Sequence, residues 1–147
     1  MQVDPFTKFF ARWGSEAHIF FYRLTGGAGP FDRNICILST RGRKTGRTIS
    51  RPLWFYERDG RYHLIASFGG SDTAPGWYKN LAANPEVEIE VGRARKPARA
   101  RTLSDEEAEK IWPDILARNP LYATYRKRAS VRTRSSLSVV LRVRGGV

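Results

Sequence analysis

The chain has 147 residues, with 26 Lys and Arg against 14 Asp and Glu for a formal net charge of +12, and it is 41% apolar and 12% aromatic. That length fits one domain over residues 1–147, and the charge favours an anionic partner: nucleic acid, an acidic membrane, or a phosphorylated and carboxylated cofactor. A single cysteine excludes an intramolecular disulfide, no Cys/His cluster has metal-ligand spacing, and no apolar run approaches the roughly 18 residues of a membrane span, so a reducing cytoplasm is the expected compartment and no metal is expected.

Asp4 and Pro5 suit an N-cap and a first helical position. Phe6, Phe9, Phe10, Trp13, Ala17, Phe20, Phe21 and Leu24 follow at spacings of three and four, which predicts an amphipathic helix with a broad aromatic face. Lys8, Arg12 and Glu16 interrupt it, so it does not read as a signal peptide. That face has three readings: core, a cover over a site, or a contact with a membrane surface. Gly26-Gly27 stop the helix.

Asn34 to Thr40 reads as a short strand, followed by the basic, glycine-punctuated loop Arg41-Gly42-Arg43-Lys44-Thr45-Gly46-Arg47. A second strand spans about Thr48 to Arg58, Asp59-Gly60 is a hairpin turn, and Arg61 to Ser67 returns antiparallel. Trp77 to Ala83 forms a short helix closed by Asn84-Pro85. Val87, Ile89 and Val91 alternate with Glu86, Glu88 and Glu90 in a half-buried strand. After the turn at Gly92-Arg93 the next strand runs from about Ala94 to Leu103, setting Glu90 opposite Arg95 and Glu86 opposite Arg99. Ser104 and Glu107 form a capping box for a helix whose buried stripe is Ala108, Ile111, Trp112, Ile115 and Leu116. Asn119-Pro120 end it, a further helical turn or two covers Leu121 to about Ala129, and Leu137 to Arg144 is a last strand. Six hairpin-connected strands with helices outside predict a small antiparallel barrel.

Three blocks carry a resemblance. Ser39 to Leu53 reads S-T-R-G-R-K-T-G-R-T-I-S-R-P-L, Ala66 to Pro85 reads A-S-F-G-G-S-D-T-A-P-G-W-Y-K-N-L-A-A-N-P, and Trp112 to Tyr125 opens on W-P and closes on a tyrosine pair. Together they resemble the deazaflavin-dependent nitroreductase family, in the family's order and spacing, from about Ile35 to Tyr125. The resemblance implies a split β-barrel, a reduced deazaflavin (coenzyme F(420), which carries a phosphate and a poly-glutamate tail) and hydride transfer to an electron-poor quinone, enone or nitroaromatic.

The residues agree with an anion cradle. Arg43, Lys44 and Thr45 sit between glycines that let the backbone approach a ligand, and Arg41, Arg47 and Arg51 enlarge the positive field. A solvated basic hairpin is the plainer alternative. By resemblance, Ser67, Phe68, Gly69, Gly70, Trp77, Tyr78 and Asn80 line the cofactor, and Pro52 and Leu53 lie beneath the ring; Phe68 stands where some members have Lys. Trp77 and Tyr78 could equally be core packing. Tyr122 and Tyr125 correspond to family tyrosines near the acceptor, where a hydroxyl would donate a proton or hydrogen bond; packing at i, i+3 is their alternative. Where family members carry an Arg soon after G-R-K-T-G, Ile49 stands here, with Arg47 or Arg51 to take its place.

FMN in place of deazaflavin, a barrel carrying lipids or other hydrophobic ligands, and a nucleic-acid module remain as alternatives. The last is disfavoured because no helix-turn-helix, zinc-finger or RNP motif is present, and nothing argues for a hydrolytic triad. A homodimer stays open, as does a peripheral contact of the first helix with the inner face of the plasma membrane.

Overall fold

Period-two alternation over short segments, punctuated by Asp59-Gly60 and Gly92-Arg93, produces one sheet that closes on itself. The computed structural model describes residues 5–29, 32–66, 75–120 and 138–143. Among them the order is α1 (Pro5–Thr25), β1 (Ile35–Arg41), β2 (Thr48–Arg58), β3 (Arg61–Ile65), α2 (Gly76–Ala83), β4 (Glu86–Val91), β5 (Ala94–Thr102), α3 (Asp105–Arg118) and β6 (Ser138–Val143). The strands form a closed barrel in the order β1-β2-β3-β6-β5-β4, with every pair antiparallel. The expected barrel is therefore present, with strand ends displaced by a residue or so: Asn34 precedes β1, and Leu103 follows β5. Asp4, the turns expected over 121–129, and Leu137 and Arg144 lie outside the described residues.

The barrel interior is filled from alternate positions of all six strands: Cys36 and Leu38, Phe55, Tyr62 and Leu64, Val87 and Ile89, Ala98 and Ala100, Val139 and Leu141. Small residues on β5 leave room for Trp77 and Leu81 of α2, which pack into the same cluster. The opposite faces of the strands are covered by the other helices. Helix α3 packs Ala108, Ile111, Trp112 and Ile115 against Tyr56, Ile65 and Val140. Its capping box forms as expected, and it runs on through Pro113 to the C-cap Asn119. The β4–β5 register sets Glu86 opposite Arg99 and Glu90 opposite Arg95, as the alternation requires.

On helix α1, Phe20, Phe21 and Leu24 are 63%, 59% and 64% exposed, so of the three readings of the aromatic face, core does not hold for that part. Ile19 and Tyr22 are buried instead, against Ile35 and Ile37 on the outer face of β1. Hydropathy alone picks the phenylalanines; the docking is decided by a hydroxyl. Tyr22 Oη accepts from the Gly92 amide at 2.7 Å and donates to the Ile35 carbonyl at 3.0 Å. Arg23 reaches the carboxylate of Glu90 at 3.1 Å, and His18 lies 2.7 Å from Asp32. A tyrosine can satisfy two backbone groups at the junction of β1 and the β4–β5 turn where a phenylalanine would strand both. The side chains of Phe6, Phe9, Phe10 and Trp13 lie outside the described residues.

Two predictions follow from these contacts. Tyr22→Phe should cost about 1 to 3 kcal/mol, the penalty of a buried amide left without its acceptor, read as a lower midpoint in urea; an unchanged midpoint would show that the hydroxyl contributes nothing to holding α1. Glu107 is held at a pKa of about 2, from an ordinary 4.5, chiefly by the side-chain hydrogen bond from Arg101 and then by the Ser104 cap. A carboxylate depressed in the folded state stabilises fully above its unfolded pKa and loses that contribution as pH falls through its folded value. Stability should thus decline between about pH 4.5 and 2, and Glu107→Gln should flatten that part of the Tm-against-pH curve.

Candidate functional site

The loop between β1 and β2 is rigid by its own hydrogen bonds. The Gly42 amide donates to the Arg47 carbonyl at 2.7 Å and the Gly46 amide to the Gly42 carbonyl at 2.8 Å. Gly46 adopts φ +71, which an L side chain resists. A Cβ on Gly42 would meet Thr45 Oγ1 at 2.9 Å and the Arg47 carbonyl at 3.2 Å. Gly42 is therefore needed for the tightness of the loop itself, not only for the approach of a ligand.

A second brace comes from α2. Asn80 is only 3% exposed. Its Oδ1 accepts from the Arg43 guanidinium at 2.9 Å and from the Arg43 backbone amide at 3.3 Å. Its Nδ2 donates to Thr40 Oγ1 at 3.3 Å. Asn80, expected to line a cofactor, thus spends its amide on holding the loop to the barrel. This role has a sequence signal only in retrospect: an asparagine inside a short apolar helix, one position before a buried leucine.

The loop forms a ridge with two sides. On the α2 side lie Arg43, Asn80 and Trp77, the last 8% exposed and part of the interior cluster. The Tyr78 hydroxyl is 3.0 Å from Thr102 Oγ1, which ties α2 to β5. Both aromatics pack against the interior cluster, Trp77 buried and Tyr78 partly buried. On the other side, Thr45, Arg47 and Arg51 line a cavity of about 810 Å³ whose far wall is the Glu16, Ile19, Phe20, Arg23 and Leu24 face of α1. Lys44 is exposed at the crest. Arg47 and Arg51 make no ion pair with a described carboxylate; Arg51 only donates to the Ser50 carbonyl at 2.9 Å.

Among the described residues, β2 pairs with β1 from Thr48 to Trp54 and with β3 from Phe55 to Arg58. Pro52 and Leu53 face opposite ways there: Leu53 lies opposite Cys36 and packs on the interior cluster, whereas Pro52 lies opposite Ile37, beneath α1. They cannot both underlie the same ring face. Ser67, Phe68, Gly69, Gly70, Tyr122 and Tyr125 lie outside the described residues. No group of three or more metal-ligating side chains gathers among the described residues, and no described helix is long and apolar enough to cross a membrane.

Comparison with known proteins gives the following. A family model for F(420)H(2)-dependent quinone reductases matches residues 15–142. A F(420)H(2)-dependent quinone reductase of Mycobacterium tuberculosis (strain ATCC 25618 / H37Rv) is 39% identical over 98 residues, covering 64% of this chain and 65% of that protein. The chain thus spans just under two thirds of the length of the curated relatives it matches. A solved F(420)-H(2) dependent reductase superposes with a TM-score of 0.65 at 34% identity, covering 76% of this chain and 94% of that one. A solved domain-swapped dimer has a TM-score of 0.66 at 32% identity, covering 90% and 97%.

The brace is testable without ligand. Asn80→Ala should speed amide hydrogen exchange at Gly42 and Gly46 by about 10-fold or more, the equivalent of one lost charge-assisted hydrogen bond, while leaving the β4 and β5 amides unchanged. Uniform loss of protection across the sheet would instead make Asn80 a general core residue.

Proposed function

Because the chain belongs to the F(420)H(2)-dependent quinone reductase family, we propose that it holds reduced coenzyme F(420) and reduces an electron-poor organic acceptor, a quinone first, with enones and nitroaromatics as related substrates. The observation that carries this reading is the braced basic loop whose Thr45 and Arg47, with Arg51 of β2, line the cavity walled by α1. The donor set suits the cofactor: a phosphate and several carboxylates need cations without carboxylate partners, and Arg47 and Arg51 are such groups among the described residues. FMN, with one phosphate and no acidic tail, would leave much of that field unused.

In this reading Arg43 and Lys44, with the Thr45 hydroxyl, hold the phosphate at the crest of the loop, and Arg47 and Arg51 take the tail carboxylates along the cavity. Leu53, Ser67, Phe68 and Gly69 position the ring, and Trp77 and Tyr78 support that wall from behind. The bound deazaflavin supplies two electrons as a hydride and disfavours one-electron chemistry. The acceptor also needs a proton to finish as a hydroquinone; the phenol hydroxyl of Tyr122 or Tyr125 delivers it and is recharged from solvent. The exposed Phe20, Phe21 and Leu24 of α1 suit contact with a membrane surface, where quinones dissolve. A homodimer is the assembly suggested by the domain-swapped relative.

The test is a titration of the purified chain with oxidised and reduced coenzyme F(420), following tryptophan fluorescence, with FMN as comparison. Saturable deazaflavin binding is expected, weakened about 10- to 100-fold by Lys44→Ala, the range for one lost charge-assisted contact. Tyr122→Phe and Tyr125→Phe should leave that affinity unchanged, and at least one should lower kcat. Failure to bind the deazaflavin, or preference for FMN, would overturn the cofactor assignment.

A further inference from the structure

We propose that the outer wall formed by β3, β6 and β5 is a second anion-binding site, separate from the basic loop and suited to a compact oligoanion such as a diphosphate or triphosphate group. In the closed order β1-β2-β3-β6-β5-β4, strand β6 is three places from β1 in either direction. This wall therefore lies across the barrel from the β1–β2 loop, and one ligand group cannot fill both sites.

Two cavities of about 430 Å³ each lie on this wall, and both are lined by Arg61, Arg101 and Val140, so they form one trough. Arg58, Lys110 and His63 line one end, Arg99 and Arg142 the other. The strand register explains the arrangement. Arg99 is directly opposite Arg142, and in the next row Arg101 and His63 flank Val140. Like charges directly opposite one another destabilise a sheet. Some cations are neutralised: Arg99 by Glu86 at 3.0 Å, Arg101 by Glu107 at 2.7 Å and Arg58 by Asp114 at 3.1 Å. Arg61, Arg142 and Lys110 have no such partner among the described residues. A cross-strand arginine pair beside unneutralised cations has a cost in the empty protein that a bound oligoanion would remove.

His63 sits in this field. It is 7% exposed, its Nδ1 has no hydrogen-bond partner, and its ring contacts Tyr56. Burial first, then Arg58, Arg61 and Arg101, push its pKa below the ordinary value, with Asp59 opposing; Glu107 and Lys110 also face it across the trough. The site is small and bounded. Asp59 and Glu107 stand within it, and Glu86 of β4 lies opposite Arg99 at its other end. An extended nucleic-acid backbone needs a continuous basic track, so a compact ligand fits better.

The chain has two histidines, so His63 can report directly. Full-length protein at physiological salt would be titrated with inorganic tripolyphosphate, and both imidazoles followed by NMR against pH. Bound anion should raise the His63 pKa by about half a pH unit or more, since opposite charge favours the imidazolium, and leave His18 unmoved. Arg61→Gln with Arg142→Gln should abolish the rise, whereas Lys44→Ala should not. The unliganded double variant should melt no lower than the parent, because repulsion is removed; a lower Tm would make these arginines structural and count against the proposal. No rise at saturating tripolyphosphate, an equal rise in His18, or markedly tighter binding of short single-stranded DNA would each overturn it.

Discussion

Strand β6 pairs on both sides, with β3 along Tyr62–Ile65 and with β5 along Ala98–Thr102. Everything else depends on that double pairing. Without it β3 and β5 would each present an open edge, and the interior cluster would lose Val139 and Leu141, both fully buried. The outer surface on which α3 docks includes Val140 beside Tyr56 and Ile65, so it exists only once the sheet has closed. These contacts join β6 to β3 and β5, strands distant from it in sequence, so closure is the non-local step such a topology imposes.

Among the described residues, the first half of β2 pairs with β1 and its second half with β3. The basic loop stands at the start of that strand, held by its internal hydrogen bonds and by Asn80. Rigidity here matters because phosphate and carboxylate groups are recognised best by donors already in position. The loop is braced from α2 on one side and faces α1 across the cavity on the other.

Much of this was legible in the sequence, for reasons that differ by element. The β4–β5 hairpin was readable because alternation, a two-residue turn and opposite charges all set the same register. The α3 cap was readable because Ser104 and Glu107 stand at the one spacing that allows reciprocal bonding. The loop was readable from its glycines and cations. What was not readable involved single polar contacts between distant segments. Tyr22 outcompetes Phe20 and Phe21 for burial because its hydroxyl satisfies Gly92 and Ile35, and periodicity carries no information about that. The bond from Arg43 to Asn80 spans 37 positions and left no local signal either.

Cys36 carries one further consequence. It is fully buried inside the barrel, and burial raises its thiol pKa to about 12. Quinones and enones are electrophiles that capture thiolates by conjugate addition, so a protein that meets them repeatedly is at risk of inactivation by its own substrate. The only sulfhydryl of this chain is neither ionised nor reachable near neutral pH. The same packing that completes the interior therefore withholds this thiol from conjugate addition to the compounds the protein is proposed to reduce.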